Sequence, residues 1–219
     1  MADVIDESFE ANPGYDMGSG YWSSIVDTGC SIDPDYTGVT PAHGSQCLQC
    51  LHGATGGSYY ALIYKTLTVP VKPYYIEFRV YLVAMTDGEA FNIAHLLDAN
   101  TNHCGSTTVL RSGSTYTIRT TYYSAGSSQE YDNSVLFTAG AWHRIRILCD
   151  PDNHIFKSWI DDTQVGDYTL TGVHNESFQY GYFGIYSWAD VGKEVLIDGM
   201  KISTTGWDEN PIEINVGEE

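Results

Sequence analysis

Basic side chains are what this sequence has least of: its 219 residues include 10 Lys+Arg against 28 Asp+Glu, a formal charge of −18, although only 17% of residues are charged. A field of that sign repels phosphates, and no Lys/Arg cluster offsets it, which argues against any nucleic-acid partner. Long apolar runs are missing too. No segment approaches the roughly 18 uninterrupted apolar residues that a membrane helix requires, so no membrane partner is expected. The start, Met1 to Asp16, has neither a basic n-region nor an apolar h-region, and no secretory signal is read there. Such a start suits a protein that reaches the outside by another route, such as a virion part freed by lysis, and the expected location is virion or extracellular.

Cysteine is sparse and odd in number: Cys30, Cys47, Cys50, Cys104 and Cys149. Complete internal pairing is therefore impossible. Cys47-Leu-Gln-Cys50 has CxxC spacing, yet no second CxxC follows and no βαβ pattern surrounds it. Buried structural thiols are expected instead of a zinc or redox site. Cys30 with Cys47, each beside a turn signal, is the one disulfide to test. The seven histidines show no HxH or HxxxH spacing, so no transition-metal site is expected. Also absent is any sustained i, i+3, i+4, i+7 pattern with caps, which leaves room for at most one short helix.

What the sequence does have is strand-forming material, with 42% hydrophobic residues, 13% aromatic residues, 17 Tyr and 22 Gly. From Tyr59 onward, β-branched or aromatic runs are closed by Gly, Asn or Asp turns. The runs are Tyr59 to Leu67, Tyr74 to Met85, Ala90 to Asp98, Thr107 to Leu110, Thr115 to Tyr123, Trp142 to Cys149, Ile155 to Ile160, Gln164 to Thr169, Tyr180 to Trp188 and Glu194 to Ser203. Ala99 to Ser106 and Ser124 to Asn133 read as polar loops. Hairpin-length links between so many strands predict an all-β fold, a two-sheet antiparallel sandwich. No linker composition interrupts it. One domain is expected over residues 1–205, followed by an acidic extension over 206–219.

The block Ala141 to Asp162 resembles the core hairpin of the concanavalin A-like, laminin-G-like jelly rolls: a Trp-containing strand, an acidic turn, and a strand ending in an "iDD" turn. Gly181 to Tyr186 and Val195 to Ile202 resemble the closing strands of that fold. Asp6 to Glu10, with Gly44 to Leu48, resembles the start found in phage and environmental members. The resemblance spans about Asp6 to Ser203, and implies a jelly roll with Trp142 and Trp159 in its interior hairpin. It leaves function open, because this superfold hosts lectins, glycanases, lyases and inert virion parts.

The resemblance also implies sites. In related jelly rolls the "FE" glutamate and an aspartate of the last strand hold calcium, and the matching residues are Glu10 and Asp198, with surface turn-capping as the alternative. Glycanases of this fold carry an ExDxxE strand, and no such triplet occurs here. The alginate-lyase-like branch needs a Tyr/His pair and a cation or amide. Fragments of its motifs place Tyr180, His95 and Arg79 in those roles, although Tyr182 stands where that family has Lys. Read from the residues alone, Tyr180, Tyr182, Gly184, Tyr186 and Trp188 share one face of their strand, and Phe183 and Ile185 the other, core-facing one. Tyr182, Tyr186 and Trp188, with Arg119 beside them, suit stacking on sugar rings. The leading expectation is a non-catalytic glycan- or host-surface-binding module of a phage virion, displayed with capsid or tail proteins as a decoration, fibre or tail component. A polysaccharide lyase and a purely structural, self-associating virion protein are the alternatives.

Overall fold

Alternation along the strands decides which residues meet. In the segment Trp142–Asp150, His143, Ile145, Ile147 and Cys149 are buried, while Trp142, Arg144, Arg146 and Leu148 are only partly so. Tyr74–Ala84 follows the same rule, with Tyr74, Ile76, Phe78, Val80 and Leu82 inside. A chain of such half-apolar ribbons buries its inner faces only by stacking two sheets.

The computed structural model describes residues 5–7, 9, 23–53, 59–98, 103–124, 127–169, 178–187 and 192–207. Its strands are β1 (Ile5–Glu7), β2 (Ser23–Val26), β3 (Cys30–Tyr36), β4 (Cys47–His52), β5 (Tyr59–Val71), β6 (Tyr74–Ala84), β7 (Ala90–Asp98), β8 (His103–Ser112), β9 (Thr115–Ser124), β10 (Ser127–Phe137), β11 (Trp142–Asp150), β12 (Ile155–Ile160), β13 (Thr163–Thr169), β14 (Phe178–Ser187) and β15 (Lys193–Ser203). No helix occurs among the described residues, hence none long and apolar enough to cross a membrane. One sheet of eight strands runs β13-β12-β11-β6-β15-β4-β3, with β1 also on β15; the other, of seven, runs β10-β9-β8-β7-β14-β5-β2. Every pairing is antiparallel. The expected jelly-roll sandwich is thus the observed one.

Between the sheets Phe78 meets Phe183 edge-on at 5.8 Å, and Tyr74 meets Phe178 at 5.3 Å. Phe78, Phe178, Phe183 and Ile185 are fully buried, each such side chain contributing about 1.5–3 kcal/mol. Thr120 Oγ1 and Ser158 Oγ, 3.1 Å apart, satisfy each other across the same interior.

Several expectations are corrected. Strands β1, β2, β3 and β4 precede Tyr59, where none was read. β2 is short and exposed, and β3 contains Asp33, Pro34 and Asp35, residues depleted in strands; edge position and a register shift between Asp33 and Tyr36 accommodate them. The polar segment after Ser124 is largely the edge strand β10, and β8 begins at His103, inside the expected loop. Trp142 and Trp159 are not core: each stands on the outward face, Trp142 Nε1–H donating to the Thr40 carbonyl at 2.9 Å and Trp159 packing at 4.9 Å on Trp207. Trp207 also meets Tyr75 and lies under the Arg146 guanidinium, so packing against the sheet continues past residue 205. The five cysteines are free thiols. Cys30 pairs in register with His52 and Cys47 with Tyr36, at opposite ends of the β3/β4 ladder, so no disulfide joins them.

Candidate functional site

The outward face of the seven-stranded sheet is organised in two cross-strand rows. One runs Tyr60, Tyr186, Asn92, Thr108, Arg119 over β5, β14, β7, β8 and β9. The other runs Tyr64, Tyr182, His95, Ser106, Thr121 over the same strands. The rows are two residues apart on β8 and β9, three on β7, and four on β14 and β5. They therefore diverge, from about 7 Å to about 13 Å at the usual rise per residue. Two β-bulges cause this: the register shifts between Asn92 and Ala94 on β7, and between Phe183 and Tyr186 on β14. Each inserts a residue into one strand only, which bends the strand and re-aims its neighbours.

Gly184 makes the second bulge feasible. Its φ is +128°, and a Cβ there would lie 2.4 Å from the Ala61 carbonyl oxygen, 2.8 Å from Leu62 Cα and 2.9 Å from Cys50 Sγ. The wedge between the rows is a shallow recess lined by Leu62, Asn92, Ala94, His95, Tyr182 and Tyr186, with Gly184 at its base. Leu62, 3% exposed, lies directly opposite Gly184 and forms its apolar floor.

The rim is aromatic. Tyr60 stacks on Tyr186 at 5.0 Å and Tyr64 on Tyr182 at 5.4 Å, and His95 lies against both Tyr186 (5.6 Å) and Tyr182 (6.4 Å). His103 stacks on His95 at 4.4 Å, with His95 Nε2 and His103 Nδ1 in hydrogen-bond contact. On the other side Thr108 Oγ1–H donates to Asn92 Oδ1 at 2.5 Å, leaving the Asn92 amide N–H groups for a ligand. Because the tyrosines stack on one another, they present edges and hydroxyls upward and not the flat platform expected from the sequence. Burial, and next the neighbouring His103, holds the His95 imidazole down at about pKa 4; burial lowers His103 as well, and burial followed by Tyr64 raises the Tyr182 phenol. The recess is therefore uncharged at neutral pH.

Tyr182 and Tyr186 stand in different rows of the same outward face, each against His95, with Arg119 two strands beyond Asn92 in the Tyr186 row. Trp188 and Glu10 lie outside the described residues. Tyr180 faces Leu97 in register, and the tyrosine opposite His95 is Tyr182. Arg79, expected beside His95, stands instead on β6 in the other sheet, directly opposite Arg144 and near Glu77. The family fragment "ER" matches a strand whose register the fold assigns elsewhere. Asp198 is fully buried, its two oxygens accepting backbone N–H groups of His43 and Gly199, each at 2.7 Å. No group of three or more His, Cys, Asp or Glu that could hold a metal occurs among the described residues. Sequence reading missed Tyr60, Leu62, Tyr64 and His103. The Tyr-x-Leu-x-Tyr alternation of β5, mirroring β14, was the available signal for the first three.

Fold and face together define a concanavalin-like jelly-roll sandwich with an aromatic recess. Solved structures share that fold. The cellulose-induced protein Cip1 is similar over 92% of this chain and 97% of its own, at a TM-score of 0.67 and 16% identity. An alginate lyase from Alteromonas sp. 272 is similar over 89% of this chain and 98% of its own (TM-score 0.59, 12% identity). One from Pseudomonas aeruginosa is similar over 72% and 82% (TM-score 0.59, 9% identity). No protein-family model matches the sequence, and no curated protein does.

Proposed function

We propose that the protein is a carbohydrate-binding jelly-roll module whose ligand lies across the strands on the outward face of the seven-stranded sheet. The observation that carries this reading is the rim of five rings, Tyr60, Tyr186, His95, Tyr182 and Tyr64, around an apolar floor. Sugar rings offer apolar C–H faces bounded by hydroxyls, and a floor of Leu62 edged by phenols and an amide is complementary to both. Truncating Tyr186 removes the ring that touches both Tyr60 and His95. Tyr186→Ala is expected to weaken glycan binding at least tenfold on a glycan array followed by titration calorimetry, and Tyr186→Phe to weaken it less. Unchanged binding in Tyr186→Ala would place the ligand elsewhere.

The lyase reading rests on the same recess. A neutral His95 beside Tyr182 and Tyr186, with the Asn92 amide, has the group types needed to remove a proton next to a uronate carboxylate and protonate the leaving oxygen. It predicts a rise in ultraviolet absorbance from unsaturated uronates when polyuronates are added, abolished by His95→Ala. A flat trace across a substrate panel removes it. The virion setting and the capsid or tail partners rest on the resemblance of Asp6 to Glu10 and Gly44 to Leu48 to phage members, and self-association is separated from a monomeric binder by light scattering.

A further inference from the structure

Resting on the glycan-binding reading above, we infer that the recess selects neutral sugars and rejects uronates and sulfated glycans. Three independent observations point the same way.

The first is what lines the recess. Leu62, Asn92, Ala94, His95, Tyr182 and Tyr186 include neither a carboxylate nor a permanent cation, and burial keeps the one titratable base among them neutral. An acidic sugar laid across it would lose water around its charge and gain no counter-charge, a cost that a hydroxylated ring does not meet.

The second is the chemistry of the polar groups. Phenols, a neutral imidazole, a threonine hydroxyl and a carboxamide supply both donors and acceptors. A sugar hydroxyl needs one of each, whereas a carboxylate or sulfate accepts only. Asn92 Oδ1 accepts from Thr108 and His95 Nε2 is in contact with His103, so the Asn92 N–H groups and the phenols remain, and a hydroxyl can accept from the amide while donating to a phenol oxygen, which a carboxylate or sulfate cannot do.

The third is the surrounding field. Arg119 is the cation of the two rows, two strands or about 10 Å from Asn92 at ordinary strand spacing. It is paired in register with Asp132 on β10, and Thr121 in the other row is paired with Glu130. Arg119 stands within a molecule of charge −18. Polyanions are repelled on approach as well as at the floor.

The test titrates the full chain with matched hexasaccharides, one set neutral (gluco-, xylo- and manno-configured) and one set acidic (mannuronate, guluronate, galacturonate and a sulfated galactan), at low and at high salt. At least one neutral ligand is expected to bind with an affinity that does not change with salt, and every acidic ligand at least tenfold more weakly. An acidic ligand that matches or exceeds all neutral ones, with binding lost in Tyr186→Ala, overturns the selectivity while leaving the glycan site standing. Binding by neither set, or binding indifferent to both Tyr186→Ala and Tyr182→Ala in variants that retain the wild-type melting profile, removes the site and the selectivity with it.

Discussion

Gly184→Ala is expected to destabilise the protein by about 3–5 kcal/mol, lowering its melting temperature by roughly 10 °C or more for a chain of this size. Two costs combine. A φ of +128° is a conformation that L side chains rarely adopt, and the added methyl meets backbone: the Ala61 carbonyl oxygen at 2.4 Å and Leu62 Cα at 2.8 Å. Backbone strain of this kind costs about 1–3 kcal/mol, and overpacking typically about 1–3 kcal/mol more. Neither Ala61 nor Leu62 can retreat, because both belong to β5, which is hydrogen-bonded to β14 at these residues. The variant also reports on the site. Relief requires β14 to move off β5, which pulls Tyr186 from Tyr60 and Tyr182 from Tyr64. Glycan affinity should therefore fall even at temperatures where the variant stays folded. The comparison is Gly113→Ala, at a turn with φ +62° and nothing within 4 Å of its Cβ: it carries backbone strain without the clash, and should cost about 1 kcal/mol and leave binding untouched. Equal losses in the two variants would deny Gly184 any special packing role.

Much of this architecture was legible before any coordinates. The strict alternation of Trp142 to Cys149 fixed which residues of β11 face inward, and that of Tyr180 to Tyr186 placed Phe183 and Ile185 in the core with the tyrosines outside. The same alternation put Trp142 with Arg144 and Arg146; assigning it to the core on family resemblance set aside the residues' own pattern. The recess was harder to read because register errors are invisible locally. Ile93-Ala94, two consecutive buried residues, and a glycine inside a strand are the marks of bulges, yet neither says which strand lies alongside. Only the order β8-β7-β14-β5 brings Asn92 and His95 beside Tyr186 and Tyr182. Arg79 shows the reverse failure, since a correct strand gives no hint of which sheet it joins. The edge strands β3 and β10 were obscured because their polarity, which keeps an edge from pairing further, is also the composition of loops.

The second large effect lies away from the recess. Lys193, with no exposed surface, opens β15, and its Nζ is 3.4 Å from Oε2 of Glu89, whose side chain is 10% exposed. His52, also fully buried, is its register partner on β4. Removing one member of a buried ion pair leaves the other charge uncompensated, which costs about 3–5 kcal/mol, whereas replacing both by apolar groups is often neutral. Lys193→Met should therefore lower stability by that amount in urea unfolding, and Lys193→Met with Glu89→Leu should recover most of it. A single-variant loss under about 1 kcal/mol, or a double variant no better than the single, would show that the two charges do not act as a pair. The same ammonium reaches the pH response. Burial first, and Lys193 next, push the His52 imidazole below its ordinary value of 6.5, so the folded state refuses a proton that the unfolded chain accepts. Stability is complete above about pH 6.5 and falls as the pH drops below it, because there the unfolded state binds more protons. Removing the Lys193 charge lets His52 titrate closer to its ordinary value. The Lys193→Met variant, less stable at neutral pH, should thus lose less on acidification to pH 5 than the wild type does, and a steeper loss would assign the acid sensitivity to other groups, with His95 and His103, also lowered by burial, the first to replace.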